Sequence, residues 1–214
     1  MFARSSAFID KWIAELAVKP VLAAAAADAK PAKGGKAPAA ASSTPAVDAS
    51  SMSKCCFMVG KVVEVSKHPE SDKLYVEKID LGEETGPRTI LSGLQHHITE
   101  EAFLNKYVLV AANLEPRKIG GIPSAGMVLC AGNDDRTKIE VLNIPEGVPA
   151  GERIVFPGHD LPAEPVLKKK LAKHYEAVAV DLKTDDKGNA VWQGIPFMTS
   201  KGPITSGINN GTVS

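Results

Sequence analysis

The side chains able to do chemistry are few, and their spacing excludes more than it offers. Ser92, Ser124 and the histidines contain the ingredients of a hydrolytic triad. None of these serines, however, stands on the strained turn that sets a nucleophile beside its base. His96 and His97 adjoin an expected helix start and make no ligand spacing with any cysteine. Cys55 and Cys56 are adjacent with no second pair, so no zinc site is expected, and Cys130 reads as the core residue of a strand. His68 falls in a turn over 68–72. No loop of the GxxxxGK type is present to cradle a nucleotide phosphate. The expectation is a chain with no catalytic residue, no metal and no cofactor. What remains is positive charge in two places: Arg117-Lys118 ahead of a Gly120-Gly121 turn, and the run Lys168, Lys169 and Lys170.

Holding such residues in place requires a folded scaffold. The chain has 214 residues, of which 44% are hydrophobic, enough for one ordinary domain with appendages and a true core. Its apolar runs fall far short of the roughly 20 residues a membrane span needs, so no membrane segment is expected. Three cysteines cannot build a disulfide framework. That points to a reducing compartment, and the reading places the chain in the cytoplasm. Lys+Arg and Asp+Glu balance at 25 each, but the balance is uneven along the chain. Residues 1–52 carry 6 basic groups against 4 acidic, residues 53–160 carry 12 against 16, and residues 161–214 carry 7 against 5. A zero average therefore conceals an acidic middle flanked by two basic segments, and does not exclude a nucleic-acid partner.

Composition divides the chain. In residues 1–19, Phe8, Ile9, Trp12, Ile13 and Leu16 recur at helical spacing and form one apolar stripe, with Asp10, Lys11 and Glu15 off it. An isolated helix this short is marginal in water and needs a surface to lie against. Such a stripe suits docking on a partner; folding back on the protein's own surface or an organelle-targeting role are the alternatives, the latter disfavoured by Asp10 and Glu15. Residues 20–52 are rich in Ala, Pro and Lys and offer almost nothing large to bury, so they read as a disordered tether.

From residue 57 onward, short β-rich runs alternate with turn signals. Strands are expected over 57–65, 74–81, 88–92, 107–112 and 125–131, with later ones over 138–142 and 153–156. Thr99 is placed to cap a short helix, and Gly60 marks a bulge or a close approach. Five or more short strands with one small helix suit a Greek-key barrel of the OB type. Residues 161–214 are too few to hold a core alone and should pack on that barrel.

Several segments together carry a family resemblance. They are VGKVVEVSKHPESDKLYVEKIDLGE (59–83), RTILSGL (88–94) and NLEPRKIGGIPSAGMVLCA (113–131). KIEVL, PEGVPAGERI, the triple lysine at 168–170 and WQGIPF (192–197) follow in order. Over roughly three quarters of its length the chain resembles tRNA-binding domains of the endothelial monocyte-activating polypeptide II type. Such domains occur in auxiliary factors of aminoacyl-tRNA synthetase complexes and as C-terminal appendices of some tyrosyl- and methionyl-tRNA synthetases. The resemblance implies an all-β fold with minor α: a five-stranded OB-fold barrel over 53–160 with a small C-terminal extension over 161–214 packed on it. In this family the extension imitates the second subunit of bacterial dimeric versions, which implies a monomeric barrel.

The function implied is that of a non-catalytic tRNA-binding cofactor that delivers or retains tRNA on aminoacyl-tRNA synthetases, with weak sequence preference. The alternative is a scaffold of a multi-synthetase complex with little or no RNA binding. The synthetase would be met through Phe8, Ile9, Trp12, Ile13 and Leu16. The implied tRNA-binding residues are Lys67, His68, Lys73, Ser92, Asn113, Arg117, Lys118, Ser124 and Met127, with Lys168, Lys169 and Lys170 extending the positive surface. In this assignment Arg117 and Lys118 meet phosphates, Ser92, Asn113 and Ser124 give neutral hydrogen bonds, and Met127 seats a base or ribose. The family commonly has Lys where Glu115 stands, and Arg where Gly120 and Met58 stand, so a weaker and more salt-sensitive binder is expected here.

Overall fold

A computed structural model describes residues 49–133, 135–160, 162–168 and 172–214. The apolar stripe of residues 1–19, the tether up to residue 48, and Lys169 and Lys170 lie outside the described residues. The last residues assigned to the tether do not follow the expectation. Ala49–Lys54 forms a helix, α1. Its small Ala/Ser side chains gave no signal, because what holds it is tertiary. Met52 is buried in the core, and the Ser51 hydroxyl lies 2.9 Å from His174 Nδ1. The Lys54 ammonium lies 3.1 Å from the other ring nitrogen.

The barrel runs β1 (Phe57–Lys67), β2 (Tyr75–Asp80), β3 (Arg88–Ser92), helix α2 (Glu100–Phe103) and β4 (Tyr107–Ala111). Then come a hairpin of β5 (Arg117–Ile119) and β6 (Ile122–Ser124), followed by β7 (Met127–Val128), β8 (Cys130–Gly132), β9 (Ile139–Val141) and β10 (Arg153–Ile154). The main sheet has the order β3-β2-β1-β4-β7, with β10 also on β1. β1 serves both neighbours by bending: its first half pairs with β4, its second with β2, and the register with β2 shifts between Val62 and Glu64. Gly60 lies before this bulge and is a close-approach site. A Cβ there would stand 2.4 Å from the Ile79 side chain.

Two hydrogen bonds nearly close the barrel: Ala125 N–H donates to Thr89 O (2.9 Å), and Leu91 N–H donates to the Ser124 hydroxyl (3.0 Å). Arg88 reinforces them, its guanidinium reaching the carbonyls of Ala112 and Ala125 while Glu83 holds its other face. α2 plugs the barrel end. Thr99 accepts the Ala102 N–H, and Phe103 is fully buried against Tyr75.

The expected fifth strand is two. At Leu129 the chain passes from the main sheet to a second one, of order β13-β12-β11-β16-β8-β9. The added strands belong to the extension: β11 (Leu182–Thr184), β12 (Ala190–Trp192), β13 (Ile195–Pro196), β14 (Met198–Thr199), β15 (Gly202–Pro203) and β16 (Thr212–Val213), after helix α3 (Ala172–Ala179). Lys168 lies ahead of α3. The extension packs on the barrel through interlocked rings. Phe57 of β1 meets Phe197 edge-on at 5.4 Å, and Phe156 stands between Phe197 (4.8 Å) and Trp192 (5.8 Å). Among the described residues, no helix is long and apolar enough to cross a membrane.

Candidate nucleic-acid interface

A cleft of about 560 Å³ opens where β3, the β5–β6 hairpin and β7 face the start of the extension. Its floor is apolar, formed by residues such as Leu91, Leu114, Val128 and Leu167, and Met127 lies half-exposed within it. Ser92, Arg117 and Arg136 supply polar groups around it, with Glu115 and Glu176 among them. Cations beside an apolar seat can hold a phosphate and a base together.

The hairpin corrects one expectation. Arg117 and Lys118 lie on a two-stranded ribbon, not in an irregular loop, and Gly120-Gly121 forms its turn. Both cations are exposed. His68 fixes the ribbon's tip. Its Nδ1 accepts the Glu70 N–H (3.1 Å), so its Nε2 carries the proton and donates to Gly120 O (3.1 Å). The ring is 4% exposed with both nitrogens occupied. His68 therefore clamps the loop between Lys67, the last residue of β1, and Lys73 to the hairpin, and its ring is not a surface contact for RNA. Gly120 is the matching half of the clamp: it has φ +55, and a Cβ would stand 2.4 Å from His68 Nε2. The absence of a basic side chain at 120 follows from that contact.

Two more implied ligands are structural. Asn113 is 5% exposed. Its amide oxygen accepts the Cys56 N–H (2.9 Å), and its NH2 donates to Lys54 O (2.7 Å) and Glu164 O (2.8 Å). Both amide hydrogens and one acceptor position of this buried side chain are engaged, so it ties α1 and the extension to the end of β4. Ser124 is on β6 and 4% exposed, accepting from Leu91 N–H and donating to Gly126 O (3.1 Å). It lines the cleft by its position, with its hydroxyl already engaged. Lys67, Lys73 and Lys168 are exposed cations, and Lys67 lies 3.6 Å from Glu100. Met58 is half-buried against the barrel core.

One functional group escaped the sequence reading. Glu77 alternates with Tyr75 and Ile79 on β2 and points into the barrel with no exposed surface. Its carboxyl is bonded to the Ser92 hydroxyl. Desolvation pushes its pKa up to about 8, against the opposing pull of that bond. The period-2 pattern of the segment Tyr-Val-Glu-Lys-Ile could have revealed it. Burial also raises the pKa of Cys55 and Cys130, each to about 12, so neither is a ready nucleophile.

Comparison with known proteins adds to this geometry. The family described as "Putative tRNA binding domain" matches residues 57–153. The crystal structure of the C-terminal domain of Plasmodium vivax p43 superposes with a TM-score of 0.70 at 37% identity, over 76% of this chain and 98% of that one. Cytoplasmic tyrosine–tRNA ligase of Danio rerio is 44% identical over 156 residues, which is 72% of this chain and 29% of the ligase. Aminoacyl tRNA synthase complex-interacting multifunctional protein 1 of Cricetulus griseus is 39% identical over 150 residues, which is 68% of this chain and 40% of that protein. The chain thus spans well under half the length of the curated relatives it matches.

Proposed function

The chain belongs to the family of tRNA-binding domains of the endothelial monocyte-activating polypeptide II type, and we propose on that premise that it is a non-catalytic tRNA-binding cofactor of aminoacyl-tRNA synthetases. The observation that carries the reading is the exposed Arg117-Lys118 ribbon standing beside an apolar-floored cleft. The cations meet backbone phosphates, which explains weak sequence preference, and the cleft receives an unstacked base. Nothing in this arrangement requires a covalent step. The relatives matched over this region include full synthetases, of which it is a minor part, and a factor named as interacting with a synthetase complex, which supports a module that serves tRNA alongside the enzyme.

The stripe of Phe8, Ile9, Trp12, Ile13 and Leu16 docks on a synthetase, and residues 20–48 span the gap. Tethering makes the second contact intramolecular, so a weak RNA site is sufficient. The cytoplasm, which the names of the tyrosine–tRNA and methionine–tRNA ligase relatives specify, is the compartment of this reading. The basic run at 168–170 extends the positive surface, and the barrel acts as a monomer.

Filter binding of bulk tRNA to the full chain at graded salt tests the central claim. Binding that weakens steeply with salt is expected. Absence of binding at low salt, with synthetases still recovered on the chain after nuclease treatment, would replace this reading with that of a protein scaffold.

A further inference from the structure

Among the described residues, Glu77 is the one carboxyl carried into the barrel interior, and its placement is specific. Tyr75 pairs with Ser92 across β2 and β3, and Glu77 with Ile90, so Glu77 and Ser92 are diagonal neighbours on the inner face. Ser92 ends β3 and lines the cleft. One carboxyl oxygen of Glu77 is bonded to the Ser92 hydroxyl. The other has no hydrogen-bond partner among the described residues. A buried carboxylate with an empty oxygen is costly, whereas a neutral carboxyl needs only one good acceptor for its O–H. Ser92 is the acceptor in reach.

A hydroxyl has a single proton, and it cannot point both ways. When the Glu77 carboxyl is neutral it donates to Ser92 Oγ, and the serine proton is free to turn into the cleft. When Glu77 is ionised, Ser92 must donate inward and offers the cleft only lone pairs. We propose that Glu77 is a positioning residue that makes Ser92 a hydrogen-bond donor toward an acceptor group of bound RNA, an inference that rests on the RNA-binding reading above.

The titratable groups facing Glu77 do not interfere. Tyr75, on its own strand, has its pKa raised by burial and donates to Ile98 O (3.0 Å). Cys130 on β8, which borders the same cleft, is pushed up to about 12 by burial and by Glu77 itself. Both stay neutral through mildly alkaline pH. The influences on Glu77 are burial and the Ser92 bond, with no charged side chain among them.

The test is bulk tRNA binding by the full chain from pH 6 to 9.5 at constant ionic strength. Wild-type affinity should fall roughly tenfold through pH 8, the size of a lost hydrogen bond to a charged group. Glu77→Gln should hold the acid-side affinity and stay flat, since its NH2 keeps donating to Ser92. Ser92→Ala should bind weakly at every pH, also without the step. A second readout needs no RNA: the carboxyl 13C resonance of Glu77 should titrate near pH 8 and move higher in Ser92→Ala, which lacks the bond that lowers it. A wild-type slope retained by either variant, or titration of Glu77 in the ordinary carboxylate range, overturns the proposal. A wild-type chain that binds no tRNA at any pH instead sinks the RNA-binding reading, and the resonance and its Ser92→Ala shift then decide the linkage alone.

Discussion

The barrel interior and the seam between barrel and extension are both apolar, but they are filled differently. The interior is lined mostly by aliphatic side chains such as Val62, Ile79, Ile90 and Val108, with the pair Tyr75 and Phe103 at one end, and it admits Glu77. The seam is made of rings, with Phe57, Phe156, Trp192 and Phe197 meeting edge to face. The difference separates adhesion from recognition. Rings give the seam large buried area and fixed geometry, which a 50-residue extension needs in order to stay attached. The interior gives up some stability to hold a polar group behind the cleft.

The sharpest way to break this contrast is Trp192→Ala. A buried indole removed from the seam should cost about 3–5 kcal/mol in urea unfolding. A loss under about 1 kcal/mol would mean that the rings do not hold the extension. Glu77→Gln tests the opposite side. The folded-state pKa of Glu77 is raised from 4.5 to about 8, so the folded protein keeps a proton that the unfolded chain releases. Wild-type stability should therefore be undiminished by this group below pH 4.5 and decline as pH rises to about 8, at up to about 1.4 kcal/mol per pH unit. The gain from Glu77→Gln should widen over that window and then level off, as read by urea midpoints at pH 5, 7 and 9. A gain independent of pH would show that the carboxyl imposes no titratable penalty.

Ser124→Ala sharpens the comparison at the barrel's closing edge. It leaves the buried Leu91 N–H without its acceptor, so a loss of about 1–3 kcal/mol is expected in thermal unfolding. A neutral result would return Ser124 to the list of residues free to meet RNA. The smallest effect on stability belongs to the double variant Arg117→Ala, Lys118→Ala. Both side chains are exposed, so the unfolding midpoint should stay put, while the slope of log affinity against log salt for tRNA drops by about 1 to 2. An unchanged slope would move the phosphate contacts elsewhere, most directly to the lysines at 168–170.

Much of the scaffold was legible because local chemistry decided it. The residues of β3 coincide with the expected strand, and Thr99 caps its helix as its side chain dictates. What could not be read was partner choice. Asn113 and Ser124 are polar and near the cleft, and sequence shows that they can hydrogen-bond but not that backbone groups 33 to 59 residues away already occupy them. The segment 49–52 is helical where α3 lies against it and Met52 enters the core, contacts that its own residues do not signal. The tail around 207–214 is rich in Gly, Asn and Ser, and its strand exists by pairing with β8, which no local pattern announces. Glu77 is the reverse case. Its inward position was written in the alternation of β2, and only its charge hid it.

The pairing of β16 with β8 also fixes an order of events. Thr212 and Val213 lie opposite Gly132 and Ala131, so about 80 residues must leave the ribosome after β8 before its free edge is covered. Until then a nascent chain displays an unpaired strand and the ring-bearing side of β1 to other chains. Folding of the seam therefore waits for the extension even though the barrel's β1–β4 can pair earlier, and truncation before residue 212 should show itself first as aggregation during expression.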